Sequence, residues 1–225
     1  MAGLAARAWW SLIGLAIVMG LVLLVPAGTL RYWEAWTYLA LFFGLAALTT
    51  LDLIRRDPAL LERRMHGGPT AETRTTQKLA MLGASAGFIA LLIVPALDHR
   101  FGWSTVPLPV VVAGDLLVVI GFGFIFRVYR ENSFTSATIE VADNQTVVST
   151  GPYAIVRHPM YASAMLYLIG TPLALGSYWG LLAALLMAPF LIWRLHDEER
   201  LLAASLPGYT EYQRNVRYRL IPFVW

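Results

Sequence analysis

Residues 157–200 read RHPMYASAMLYLIGTPLALGSYWGLLAALLMAPFLIWRLHDEER. Two apolar runs, Met160 to Leu175 and Tyr178 to Leu195, lie between two polar clusters and turn at Leu175-Gly176-Ser177. Each run approaches the roughly 20 apolar residues that an α-helix needs to cross a bilayer. Gly176 lies 18 residues after His158, and His196 lies 18 after Tyr178. At a rise of about 1.5 Å per residue each arm spans about 27 Å, close to one hydrocarbon thickness. A helical hairpin with equal arms therefore brings Arg157-His158-Pro159-Met160-Tyr161 and His196-Asp197-Glu198-Glu199-Arg200 to one level.

Working outward, four further apolar runs precede the hairpin: Trp9 to Val25, Trp36 to Ile54, Leu79 to Leu97, and Val106 to Val128, the last interrupted by Asp115. The composition agrees, with 58% hydrophobic and 14% charged residues, against about 45–50% and 25% in soluble domains. Arg7 before the first run raises the question of a signal peptide. The five runs that follow, and the topology they make, favour a retained helix. The expectation is an all-α, polytopic integral membrane bundle of five to six transmembrane helices. Residues 1–129 hold four spans, and residues 130–225 hold a polar loop, the helical hairpin and a tail. Placing the N-terminus inside leaves only Arg31 and Arg100 outside among the 17 Lys and Arg residues. That asymmetry puts both termini on the cytoplasmic face. The formal net charge of +3 gives no reason to expect nucleic acid. With no cysteine, disulfides, thiolate metal sites and cysteine nucleophiles are excluded. The histidines His66, His99, His158 and His196 show no zinc-ligand spacing, so no metal is expected.

Pro159 suits the first turn of a helix, where its missing N–H costs nothing. The N–H groups that follow favour an anion, and Arg157 suits a carboxylate held by two parallel bonds. The plainer alternative is that Arg157 and His158 anchor the helix among lipid headgroups. Asp197, Glu198 and Glu199 oppose the dipole of a helix that stops there. A helix running on through Leu201 and Leu202, to a stop at Leu206-Pro207-Gly208, removes the conflict. A solvated extension with Glu–Arg pairs and a carboxylate that binds a cation or a ribose hydroxyl both remain open. Asp115 is an intramembrane acid far from these clusters, expected to snorkel or pair locally. Asp52 is expected to pair with Arg55 or Arg56. The basic second loop, with Arg55-Arg56 and Arg63-Arg64, is expected to touch anionic lipid. Gly83 with Gly87, and Gly114, Gly121 and Gly123, mark close helix contacts. The long polar segment from Arg130 to Arg157 has the length of a functional loop.

Gly151-Pro152-Tyr153 followed by Val156-Arg157-His158-Pro159-Met160-Tyr161 closely resembles the signature of the isoprenylcysteine carboxyl methyltransferase family, itself similar to bacterial phospholipid methyltransferases. The resemblance runs through Gly170, Leu175 to Ser177, Glu198-Glu199, Gly208-Tyr209, Tyr212 and Leu220-Ile221-Pro222-Phe223. It implies an enzyme of a bacterial inner membrane with S-adenosyl-L-methionine as cofactor in a cytoplasmic pocket. Carried over residue by residue, it puts Tyr153, Arg157, His158, Pro159, Tyr161, Glu198 and Glu199 around the cofactor. The backbone of Val147 to Gly151 would cover it. A lipophilic or prenylated acceptor would enter sideways from the bilayer lipids. Asn215-Val216 stands where prenylcysteine-methylating members carry Arg-Val, so Arg214 or Arg217 would have to substitute. The Asn132–Val148 loop corresponds to no known acceptor pocket.

Methyl transfer from a sulfonium is an in-line displacement, which needs alignment and exclusion of water. A carboxylate acceptor needs only an arginine, and carboxylate O-methylation is the reading adopted, with Arg157, Glu198 and Arg217 as the catalytic set. An amine acceptor would need a base, for which Glu198, Glu199 and His196 qualify. Two rival classes stand beside the methyltransferase. One is an NADPH-dependent sterol or enone-type reductase, with Arg214, Arg217 and Arg219 for a 2′-phosphate. The other is a non-catalytic membrane sensor or assembly protein.

Overall fold

The computed structural model describes residues 2–72, 74–142 and 144–225. Its helices are α1 (Ala2–Ala27), α2 (Trp33–Arg56), α3 (Pro58–Met65), α4 (Thr75–Phe101), α5 (Leu108–Glu131), α6 (Pro159–Ala174), α7 (Gly180–Ser205) and α8 (Tyr209–Asn215), with a 3₁₀ turn over Gly151–Ala154. Among the described residues there is no strand. Five helices, α1, α2, α4, α5 and α7, are long and apolar enough to cross a membrane. The protein is an all-helical integral membrane bundle.

Local chemistry sets the boundaries. Asp57 ends α2 and starts α3, its carboxylate accepting the Leu60 N–H at 2.9 Å just ahead of Pro58. An acidic N-cap followed by proline is a strong start signal. Gly102 closes α4 at φ +65, a backbone that glycine adopts without strain. The fifth apolar run falls short of a span. Helix α6 has 16 residues, about 24 Å at the helical rise, because the chain leaves the helix after Ala174 and turns at Gly176 with φ +69. Helix α7 instead continues ten residues past Leu195 to Ser205. The acidic cluster therefore lies inside a helix and clear of its C-terminal dipole.

The six long helices form a ring in the order α1, α2, α5, α6, α7, α4 and back to α1. Small residues bring neighbours together. A Cβ on Gly170 of α6 would lie 2.7 Å from the carbonyl oxygen of Gly114 in α5. A Cβ on Gly87 of α4 would lie 2.7 Å from Cγ of Met187 in α7. Gly123 has open space instead, so it belongs to no such contact. One end of the ring is filled by Met19, Leu23, Tyr32, Tyr38, Leu92, Val118 and Leu175. There the Tyr32 hydroxyl donates to the Leu175 carbonyl at 2.7 Å, and Asp98, 1% exposed, accepts from Ser104 and Ser177. The other end is polar and holds a cavity. One buried carboxylate oxygen of Asp115 in α5 has no hydrogen-bond partner among the described residues.

Candidate active site

The start of α6 and the late turns of α7 meet at the polar end. Successive helical residues are rotated by about 100°, so Asp197, Glu198 and Glu199 face three different neighbours. Asp197 turns to the start of α4, where it takes Arg74 at 3.1 Å and the amide of Gln77. Glu198 turns into the cavity and accepts the Tyr161 hydroxyl at 2.8 Å. Glu199 turns to the tail.

Around Glu199 three basic side chains converge. Arg157 Nε donates to Oε1 at 2.6 Å, His158 Nε2 lies 3.2 Å from the same oxygen, and Arg219 Nε donates to Oε2 at 2.9 Å. The Arg157 side chain, 6% exposed, also donates from Nη1 to the carbonyls of Val216 and Arg217 at 3.0 and 2.9 Å. The backbone N–H groups of Arg157 and His158 donate to Tyr218 and Arg219 carbonyls, both at 2.9 Å. The tail is thus stitched along the entry to α6. Nε and Nη1 of Arg157 are thereby engaged within the protein, while none of the hydrogen bonds among the described residues involves Nη2.

A cavity of about 850 Å³ opens inside this frame, within the usual range of about 300–1,000 Å³ for small-molecule sites. Its polar part is lined by Tyr153, Arg157, His158, Pro159, Tyr161 and Glu198, with Asn132, Arg194, Tyr209 and Tyr212. Its apolar part runs between the helices past Phe42, Phe88, Phe122, Leu168, Met187 and Leu191. Two of its lining residues, Leu15 of α1 and Ile89 of α4, are 42% and 49% exposed on the lipid-facing flank. Among the described lining residues neither Glu199 nor Arg217 appears. The Arg217 side chain is exposed, and only its carbonyl meets Arg157.

The roof comes from segments distant in sequence. The loop after α5 lines the cavity with Asn132, from Phe134 to Glu140, and from Gln145 to Val148. Arg63 donates to the Ser133 carbonyl, and Arg64 to that of Ser136 at 2.6 Å. Arg194 of α7 donates to the Ala137 carbonyl at 2.8 Å and to Glu72 at 2.6 Å, and Glu72 also accepts the Ile139 N–H at 3.3 Å. Two arginines of the basic second loop are therefore spent on protein carbonyls, where the sequence suggested anionic lipid. Asp52 binds Arg56 at 3.3 Å and, from α5, Arg130 at 2.8 Å.

Three buried tyrosines line the cavity on the side of the tail. Tyr153 accepts from the Asn132 side chain at 3.0 Å, and Tyr212 donates to the Tyr153 carbonyl at 2.7 Å. The Tyr209 hydroxyl is buried with no partner among the described residues, and Tyr209 lines the cavity. Burial holds all three hydroxyls above the ordinary tyrosine range, so they remain protonated donors at neutral pH. Sequence reasoning passed over Tyr209, Asn132 and Arg194 as site residues. The spacing of Tyr209 and Tyr212 on one helical face was the available signal for the first. Nothing local marked the other two.

Residues 109–206 match the family model described as phospholipid methyltransferase. This stretch contains most of α5, the roof loop, α6 and α7, which together build the polar wall of the cavity. A segment of 73 residues is 34% identical to the cobalt-zinc-cadmium resistance protein CzcN of Cupriavidus metallidurans, covering 32% of this chain and 33% of that relative. The similarity therefore spans about a third of the relative's length. The matched stretch and the polar wall of the cavity thus coincide.

Proposed function

We propose that this chain is an S-adenosyl-L-methionine-dependent methyltransferase that acts within the membrane on a lipophilic acceptor. One observation carries the reading: a single cavity joins a polar pocket with an unpartnered donor, Tyr209, to an apolar chamber that reaches the lipid-facing flank at Leu15 and Ile89. The match to a methyltransferase family over the same elements supports it.

The polar pocket fits the cofactor chemically. Tyr209 offers a buried donor, Glu198 a carboxylate for a hydroxyl or ammonium group, and the entry to α6 a set of N–H groups that His158 does not cap with its side chain. Tyr153, His158, Pro159, Tyr161, Glu198 and Tyr209 would hold the cofactor, with Arg157 and Glu199 fixing the wall behind them. Bound there, it supplies an electrophilic methyl group. The chain's own part is to hold the acceptor in line and keep water out. An acceptor arriving from the bilayer would pass the flank at Leu15 and Ile89. The charge asymmetry supports a polar pocket on the cytoplasmic side.

The resemblance to the isoprenylcysteine carboxyl methyltransferases suggests a carboxylate acceptor, which needs a cation. A specific observation favours a second reading. The arginines that line the cavity are already engaged: Arg64 with Ser136, Arg157 with Glu199 and the tail, and Arg194 with Glu72, Gln77 and Ala137. Glu198, by contrast, has one oxygen on Tyr161 and, among the described residues, none of its hydrogen bonds engages the other. It would serve as base for an amine.

The experiment is a calorimetric titration of the purified protein with S-adenosylmethionine, S-adenosylhomocysteine and NADPH. The methyltransferase reading expects the two adenosyl compounds to bind and NADPH to be silent. Tyr209→Phe should weaken adenosyl binding about three- to tenfold, the worth of one hydrogen bond, with melting unchanged. Radiolabelled methyl transfer to a lipid extract then separates the acceptors, since mild base releases methanol from an ester and leaves an N-methyl group intact. Binding of NADPH alone would make the protein a reductase, and silence from all three would make it a sensor or assembly protein.

A further inference from the structure

The tail beyond the site closes into a small loop with its own internal framework. The N–H groups of Arg219, Leu220 and Ile221 all donate to the Trp225 carbonyl oxygen, at 2.9, 3.0 and 3.1 Å. The N–H groups of Val224 and Trp225 return to the Ile221 carbonyl, both at 3.1 Å. The Trp225 ring packs inward against His196 at 5.7 Å and under the Arg219 guanidinium at 5.4 Å. Leu220 is buried as well.

What this framework displays is apolar. Phe223 is 87% exposed, Val224 75% and Ile221 46%. Phe223 has φ +66, a left-handed backbone that a bulky non-glycine residue rarely adopts. Its ring stands outward beside Tyr218, at 5.3 Å between ring centres, against the tendency to bury apolar surface. Position along the bundle says what it meets. Tyr218 and Arg219 are bonded through their carbonyls to the backbone at the entry of α6, and His196, which Trp225 touches, directly follows the apolar run of α7. Both anchors mark the edge of the apolar belt. Arg200 and Arg217 are exposed on the segments around the loop, as expected beside anionic headgroups.

We propose that the Ile221–Val224 tip inserts into the boundary between headgroups and acyl chains of the bilayer. Its occupant is lipid, and the insertion pins the tail segment that backs Arg157 and His158 against α6. The chain has no cysteine, so single labels are clean. Phe223→Cys and, separately, Val224→Cys carry a nitroxide after reconstitution into phosphatidylethanolamine–phosphatidylglycerol vesicles, and the label is relaxed by oxygen or by a water-soluble nickel chelate. Arg214→Cys on α8 serves as the aqueous reference, and Leu185→Cys, 67% exposed on α7, as the lipid reference. Both tip labels should be relaxed more by oxygen than by nickel, as at position 185. Tip labels that follow position 214 would overturn the proposal. Labels shielded from both relaxants, with spin–spin broadening, would also overturn it, because a second copy of the chain would then cover the tip.

Discussion

Three consecutive carboxylates in α7 have three different partners, and the difference between Glu198 and Glu199 has measurable consequences. Glu199 is 6% exposed and balances Arg157 and Arg219 beside His158. Removing its charge leaves a buried guanidinium without a counter-ion, which costs about 3–5 kcal/mol in comparable sites. Glu199→Gln should therefore melt well below the parent protein and lose adenosyl binding with it. Glu198 faces the cavity and, among the described residues, accepts one hydrogen bond, from Tyr161, so Glu198→Gln should melt like the parent and lose methyl transfer. Thermal melts in detergent beside an activity assay read both, and equal melting of the two variants would refute this division. The acids and the Arg-His-Pro segment were legible as candidates in the sequence. Which acid serves the cavity was not, because a rotation of one residue decides it and only the packed neighbours fix that rotation.

At the scale of elements, glycine position controls how closely α5 and α6 approach. A side chain at Gly114 would run into the backbone of Leu173 and Ala174. One at Gly123, nine residues along the same helix, meets nothing within 4 Å. Gly114→Leu should thus cost at least the roughly 1–3 kcal/mol of an overpacked core and lower the yield of folded protein. Gly123→Leu should be tolerated. Size-exclusion profiles and melts of the two variants give the comparison. From sequence the three glycines of α5 looked alike as contact residues. The structure separates them because helical phase alone does not say which face meets a partner and which meets lipid. The roof shows the same limit. Arg63, Arg64, Glu72 and Arg194 form one clasp over the loop after α5, and no spacing rule relates residues so far apart.

For the whole molecule, the ring of six long helices has one end filled by side chains and the other opened into a cavity. The distribution of basic residues, with Arg31 and Arg100 alone on the filled side, gives an expected orientation in which the cavity end is cytoplasmic. A cysteine at position 214 should accordingly be shielded from an impermeant maleimide in intact cells and labelled after permeabilisation. A cysteine at position 31 should be labelled in both. The reverse pattern would invert the topology and place the cavity on the other face.

The sequence by itself determined the helical class, the membrane environment, the positions of the long spans and the return of the hairpin that brings residues 157–161 and 196–200 together. Those properties follow from apolar run length and from a constant rise per residue, both of which are local. Only the tertiary structure decided that α6 stops short after Ala174, that Arg157 is committed to Glu199 and the tail, that Tyr209 has a free buried hydroxyl, and that the second loop roofs the cavity. Each of these depends on which distant group satisfies a buried charge or donor, and pairing across the bundle is settled by packing in three dimensions.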